Sequence, residues 1–305
     1  MIVRPYQHWF RRLFDWHGSV LSKILFRLSL NLLMSIIAVI SYQWYESLGI
    51  HLTTAPFSLL GVAIAIFLGF RNNASYARFT EARTIWGSLL ITQRSLLRQI
   101  KSILLLDDAA AREFAALMAA FAWSLKHQLR QTEASSDLQR LLAERWHDRV
   151  LNNPLPGNQI LLCMGLWLGE QRQKGTLSDI LWQSVDENLN HLSQVLGACE
   201  RIATTPIPFA YSLILHRTVY LFCTLLPFAL VSDLHYMTPL VSVFISYTFL
   251  SLESLAEELE DPFGTDANDL PLDAICVVIE RNLKAMNGDF PLPEPLKPDS
   301  RFNLT

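Results

Sequence analysis

Four stretches of this chain are apolar enough to cross a lipid bilayer, and they constrain everything else it can fold into. A span needs roughly 20 mostly apolar residues, fewer where neighbours shelter its ends. Leu28 to Tyr45 carries no charged residue, and neither does Ser47 to Phe70, whose apolar part begins after Pro56. Thr218 to Ser232 is shorter but extends backwards through FAYSLILHR, and Leu234 to Leu252 is again free of formal charge. Pro227 lies inside the third stretch, where its ring removes a backbone hydrogen bond and predicts a kink. The competing reading of the last two stretches is a pair of buried helices in a soluble all-α protein.

Lysine and arginine set the orientation. Arg4, Arg11, Arg12, Lys23 and Arg27 precede the first span, while the connector ESLGIHLTTAP has neither residue. Arg71, Arg78 and Arg83 follow the second span, and the connector SDLHYMTP has none. Both termini and the long middle segment are therefore expected inside. The first apolar run lacks a small-residue cleavage site, so it reads as an uncleaved anchor. With 51% hydrophobic and 17% charged residues, the chain is too apolar for a soluble domain and too polar to lie wholly in the membrane.

The polar part is expected to be a helical layer. DDAAAREFAALMAAFAWSLKHQLR is rich in strong helix formers, with Phe114, Leu117, Phe121 and Leu125 at spacings of three and four. NNPLPGNQ breaks the pattern, and Leu161 to Lys174 resumes it until Gly175. Ser178 suits an N-cap for the next helix, whose stripe is Leu181, Val185, Leu189, Leu192 and Leu196. No β pattern, repeat or low-complexity run stands out. The expected organisation is residues 1–97 for an N-terminal segment, the first span and the second with its inward extension. A helical cytosolic domain follows at 98–205, the third and fourth spans at 206–256, and an acidic turn with the C-terminal segment at 257–305.

The stretch GVAIAIFLGFRNNASYARFTEAR, Gly61 to Arg83, passes from hydrocarbon-like to charged with no proline to mark the change. On a helix, Val62, Ile66 and Phe70 fall at i, i+4 and i+8 and form a bulky stripe, beside a small stripe of Gly61, Ala65 and Gly69. Small residues at this spacing let helices approach closely in lipid. Copies of the second span packed through the small stripe would aim the bulky stripe at a shared axis, making stacked apolar rings. The helix would then continue beyond the bilayer to line or brace a wider, wet vestibule with Arg71, Asn72, Ser75, Arg78, Glu81 and Arg83. Arg78 and Glu81, three apart, are candidates to pair. The alternative is that the bulky stripe is ordinary core or lipid-facing surface.

FRNNASYARFTEARTIWG (Phe70 to Gly87), ERIATTPIPFAY (Glu200 to Tyr211) and EELEDPFG (Glu257 to Gly264) together resemble the bacterial branch of the bestrophin family, over roughly Ile2 to Phe290. The resemblance implies a homopentameric ion channel in the bacterial inner membrane, its single axial pore lined by five second spans. It implies a hydrophobic neck at Val62, Ile66 and Phe70, with valine where bulkier residues are common in the family. A second constriction is implied at the cytosolic exit, where Ile180 in LSDIL is the candidate.

Charge around these constrictions bears on selectivity. Apolar rings gate by dewetting and size, leaving the sign of the ion to charges at the mouths. Glu46 and Asp233 in the outer connectors, and Asp179 beside the exit, favour small monovalent cations, sodium or potassium. An anion channel of the same architecture is the alternative, since the family is named for anion channels. A secondary transporter or a non-conducting scaffold are further alternatives; the former would usually show repeated halves, which four dissimilar spans do not.

EELEDPFGTDAND offers Glu257, Glu258, Glu260, Asp261, Asp266, Asn268 and Asp269, oxygen ligands of the kind calcium prefers. The cluster after Pro-Phe-Gly is interrupted compared with animal bestrophins, so these acids are expected to meet arginines such as Arg78 or Arg83, with no metal and no cofactor. A net charge of -3 and no basic stripe argue against nucleic acid. Cys163, Cys199, Cys223 and Cys276 lie far apart without a C-x-x-C pair and read as buried, reduced thiols. No hydrolase, zincin, Walker or dinucleotide fingerprint occurs, so no enzyme is expected. His51 and His235 are expected at the outer surface. His127, His147 and His191 read as surface or satisfied core residues, and His216 beside Arg217 as either an interfacial anchor, the favoured reading, or a pore-facing element.

Overall fold

A computed structural model of the chain describes residues 1–5, 8–12, 15–49, 52–103 and 108–305. His51 lies outside the described residues. In chain order the helices are α1 (Trp9–Arg12), α2 (Leu21–Ser47), α3 (Thr54–Ile103), α4 (Asp108–Arg130), α5 (Ser135–Leu141) and α6 (Glu144–Leu151). They continue with α7 (Pro156–Gln173), α8 (Asp179–Thr204), α9 (Phe209–Leu234), α10 (Thr238–Glu260) and α11 (Leu272–Asn287). Among the described residues there is no strand beyond an isolated bridge between Ile2 and Asn303, in keeping with the all-α expectation.

The chain forms two compact units, Pro5–Phe79 with Pro206–Asp261, and Met1–Arg4 with Thr80–Thr205 and Pro262–Thr305. Residues of α3 belong to both. That helix runs for 50 residues, about 75 Å at 1.5 Å per residue, straight through the change in composition.

The first unit holds the apolar helices. Leu21–Ser47, Thr54–Ile103 and Phe209–Glu260 are long and apolar enough to cross a membrane. The last of these is two helices: α9 and α10 are joined by the short 3-10 turn His235–Met237, where His235 takes a φ of 44°, and they pack on each other and on α2. The third and fourth expected spans are thus a helical hairpin, and α9 runs through the buried Pro227. At the end of α2, Gly49 adopts a φ of 73°, a left-handed conformation that costs glycine little.

Ile24 and Leu28 of α2, Ile64 and Leu68 of α3, Val219, Phe222 and Leu226 of α9, and Leu250 of α10 form one buried cluster. Lipid is as apolar as these side chains, so polar contacts contribute to holding such helices together. Asn31 on α2 supplies the most buried one: its Nδ2 donates to the Cys223 carbonyl at 2.6 Å, and its Oδ1 accepts from Ser242 Oγ at 3.2 Å. One side chain thereby ties α2 to both arms of the hairpin.

In the second unit α4 is central, packed by α7 and α11 and buried almost all round. A helix apolar on every side belongs in a core. Phe114, Leu117, Phe121 and Leu125 are all fully or nearly fully buried, and the Phe114 ring lies 4.6 Å from that of Trp167 on α7. The stripe on α8 is buried from Val185 through Leu196, and Ser178 caps the helix by accepting from the Leu181 amide at 3.5 Å. One boundary differs from expectation: α7 starts at Pro156, five residues before Leu161, because proline already has the dihedral of a first helical turn and needs no amide partner there. All four cysteines are free and buried, and burial pushes the Cys199 thiol up to about 12, leaving it unreactive. The two chain ends meet, Met1 N donating to the Leu304 carbonyl at 2.6 Å.

Replacing Asn31 with alanine removes both interhelical bonds and is expected to cost about 1–2 kcal/mol. The check is a lower midpoint for thermal unfolding of purified protein in detergent.

Candidate functional site

The first half of α3 has two unlike faces. Ile64, Leu68, Arg71 and Ser75 are buried against their own unit. Two residues along a helix is a rotation of about 200°, so Val62, Ile66 and Phe70 point the other way. They are large apolar side chains, 61%, 52% and 60% exposed. The small stripe behaves differently along its length. A Cβ on Gly61 would lie 3.4 Å from the Phe222 ring, so this glycine serves packing against α9, whereas a Cβ on Gly69 would meet nothing within 4 Å. Ala65 is exposed.

Directly after the bulky stripe, α3 is held by polar contacts to the end of α10. The Arg71 guanidinium is buried and lies 3.5 Å from the Glu260 carboxylate, which also accepts from the Ile207 amide at 3.1 Å. Arg78 Nε donates to the Glu260 carbonyl at 3.1 Å, and Asn72 Nδ2 donates to the Leu252 carbonyl at 3.0 Å. The Glu260 carboxylate thus meets Arg71, while Arg78 bonds the main-chain carbonyl of the same residue. The expected Arg78–Glu81 pair gives way to another: Glu81 pairs with Arg201, in the last turn of α8. A side chain three residues away on an exposed helix face competes poorly with one held in place by a packed neighbour.

The loop after α10 is closed from inside. The Leu270 amide donates to the Pro262 carbonyl at 3.0 Å, and the Asp266 amide to Asp269 Oδ2 at 2.7 Å. Arg130 binds the carbonyls of Phe263 and Leu270 and, through NH1, the Asp273 carboxylate at 2.6 Å; Lys126 reaches the other Asp273 oxygen at 2.8 Å. Burial pushes the Asp273 carboxyl up, but Lys126 and Arg130 together more than offset it and hold it below the usual carboxylate range.

Ile180 stands in the first turn of α8 with 82% of its surface exposed, and Asp179 beside it pairs with Arg172 at 2.7 Å. At the far end of the apolar unit, Glu46 accepts from Tyr42 Oη at 3.0 Å, and neither Glu46 nor Asp233 has a basic partner among the described residues. The histidines on the second unit are satisfied: His127 contacts Thr132 and Asp137, and His147 the Leu142 carbonyl. His216 is the histidine that sequence reasoning placed too simply. Its Nδ1 lies 2.7 Å from Oε1 of Glu253, a fully buried carboxylate on α10. The one signal in the sequence was Glu253 and Glu257 at i, i+4 inside an apolar helix.

Because the Asp273 carboxyl is depressed in the folded state, its contribution to stability is complete above the ordinary value of about 3.9 and is lost as pH falls through the folded-state value. Asp273→Asn is therefore expected to lower the unfolding midpoint at neutral pH and to flatten its decline below about pH 4. Thermal melts of both proteins across that range provide the measurement.

Known proteins share this fold. The family model described as Bacterial/Fungal Bestrophin protein matches residues 1–285. A protein named voltage-dependent anion channel-forming protein YneE, from Escherichia coli strain K12, is 61% identical over 305 residues, covering all of both chains. A protein of Ralstonia nicotianae that bears the same description is 43% identical, with 95% of each chain covered. Among solved structures, a bacterial bestrophin homolog from Klebsiella pneumoniae superposes with a TM-score of 0.86 at 65% identity, covering 88% of this chain and 100% of that one. A match this complete in both sequence and fold makes this chain a member of the bestrophin family.

Proposed function

We propose that this chain is the subunit of a homopentameric bestrophin-type channel that conducts small monovalent ions passively across the bacterial inner membrane, with five copies of α3 around the pore. The observation that carries this reading is the uncovered face of α3, where Val62, Ile66 and Phe70 stand exposed opposite the buried face. Brought to a common axis, they form successive apolar rings, which pass ions only when wide enough to stay wet. Ala65 and Gly69, small and open on the same helix, allow neighbouring copies to come close. Ile180, exposed at the start of α8, is the proposed ring at the cytosolic exit. The lysine and arginine distribution supports a cytoplasmic side for both termini, and the hydrogen bond between Met1 and Leu304 is compatible with their lying together.

Two observations bear on the sign of the ion. The curated relatives carry an anion-channel name, which favours the anion alternative. Against it stand Glu46 and Asp233, which in five copies make the outer mouth negative and favour cations. Asp179 adds little to either, since Arg172 offsets its charge. Reversal potentials in asymmetric sodium chloride separate the two: a shift toward the sodium potential supports the cation reading, and one toward the chloride potential replaces it.

In a liposome flux assay, a channel gives passive flux, a transporter saturable exchange, and a scaffold none. Ile66→Ala and Phe70→Ala each widen the neck and are expected to raise single-channel conductance roughly twofold or more. Planar-bilayer recordings test this, and currents unchanged in both variants reject the neck.

A further inference from the structure

One polar cluster in the apolar unit has no part in the proposed pore. His216 on α9 and Glu253 and Glu257 on α10 bring three potential ligand atoms within 4.8 Å of one another. Glu253 and Glu257, one helical turn apart, share a face of α10, and His216 reaches across from the other arm of the hairpin. Glu253 is completely buried; its Oε1 is 2.7 Å from His216 Nδ1, but its Oε2 has no hydrogen-bond partner. An ionised carboxylate buried with one oxygen unsatisfied is costly, and so rare without a compensating charge.

The nearby cations do not supply that charge directly. The Arg27 guanidinium acts on Glu253 from α2, yet it lies over the Tyr220 ring, 5.3 Å from the centroid, and its NH1 is itself buried without a partner. Lys23 is engaged with Glu258 at 2.9 Å. The Tyr220 ring, 4.3 Å from the imidazole, backs His216 and limits its orientation.

We propose that His216, Glu253 and Glu257 form a binding site for a divalent transition metal that staples the open end of the α9–α10 hairpin. One imidazole nitrogen and two carboxylate oxygens are a ligand set such metals accept, with a fourth position left for water. A dication with a neutral imidazole and two carboxylates brings the net charge to zero, which removes the penalty of burying Glu253 alone. Tetrahedral ligands at zinc distances sit about 3.4 Å apart, so binding needs only rotamer adjustments at His216 and at the exposed Glu257. The spare Glu253 oxygen then gains a partner.

Zinc is the probe. Full-length protein without a histidine tag, stripped with chelator, is titrated with zinc chloride by calorimetry, and its unfolding midpoint is followed as zinc rises. The expected result is one saturable site per subunit and a midpoint that climbs with zinc. Glu257→Gln and His216→Ala alter exposed or half-exposed side chains and leave the core in place. Each is expected to weaken zinc binding by roughly tenfold or more and to abolish the zinc-dependent climb. Absence of saturable binding in the unaltered protein overturns the proposal, and so does either variant binding zinc as tightly as the unaltered protein does.

Discussion

The structure depends on how α3 divides its surface. One face of its first half is buried by α9 and its neighbours, and the opposite face carries three large apolar side chains that stand more than half exposed. In lipid such a face is not penalised, so exposure alone does not compel association. What distinguishes it is that the same helix continues, unbroken, into a polar stretch held by Arg71, Asn72 and Arg78. A helix that only needed to span would end at the bilayer surface; this one runs for 50 residues.

The end of α10 anchors the start of that continuation. Glu260 receives Arg71 on its carboxylate, Arg78 on its carbonyl and the Ile207 amide on its side chain. A backbone carbonyl at a helix C-terminus is one of the orphan acceptors left by helical bonding, and it sits at the negative end of the helix dipole, so arginine suits it twice over. In the acidic segment Glu258 meets Lys23 and Glu260 meets Arg71. Asp273 holds Lys126 and Arg130, and Asp269 closes its own turn.

Much of the fold was legible in the residues because the signals are local. The charge-free runs mark the four apolar helices, and the absence of proline after Pro56 allows α3 to continue. The spacing of Phe114, Leu117, Phe121 and Leu125 marked a core face, and Ser178 announced a helix start. In the sequence Pro156 has the look of a breaker, but at a first turn proline initiates a helix, and α7 starts there. Contacts between distant parts of the chain were less accessible. Proximity in sequence matches Glu81 to Arg78, whereas Arg201, 120 residues away, takes it. The encounter of His216 with Glu253, 37 residues apart, depends on how the two arms of a hairpin are rotated against each other.

By itself, then, the sequence determined which segments are helical, which are apolar, and which face of α3 carries the bulky stripe, because helical periodicity and hydrophobicity act between residues a few positions apart. The tertiary structure decided which face of α3 is buried, which arginine meets which acid, and that a buried glutamate oxygen lacks a partner. These depend on the rotation and depth at which packed helices meet, and neither quantity is written into the spacing along any one of them.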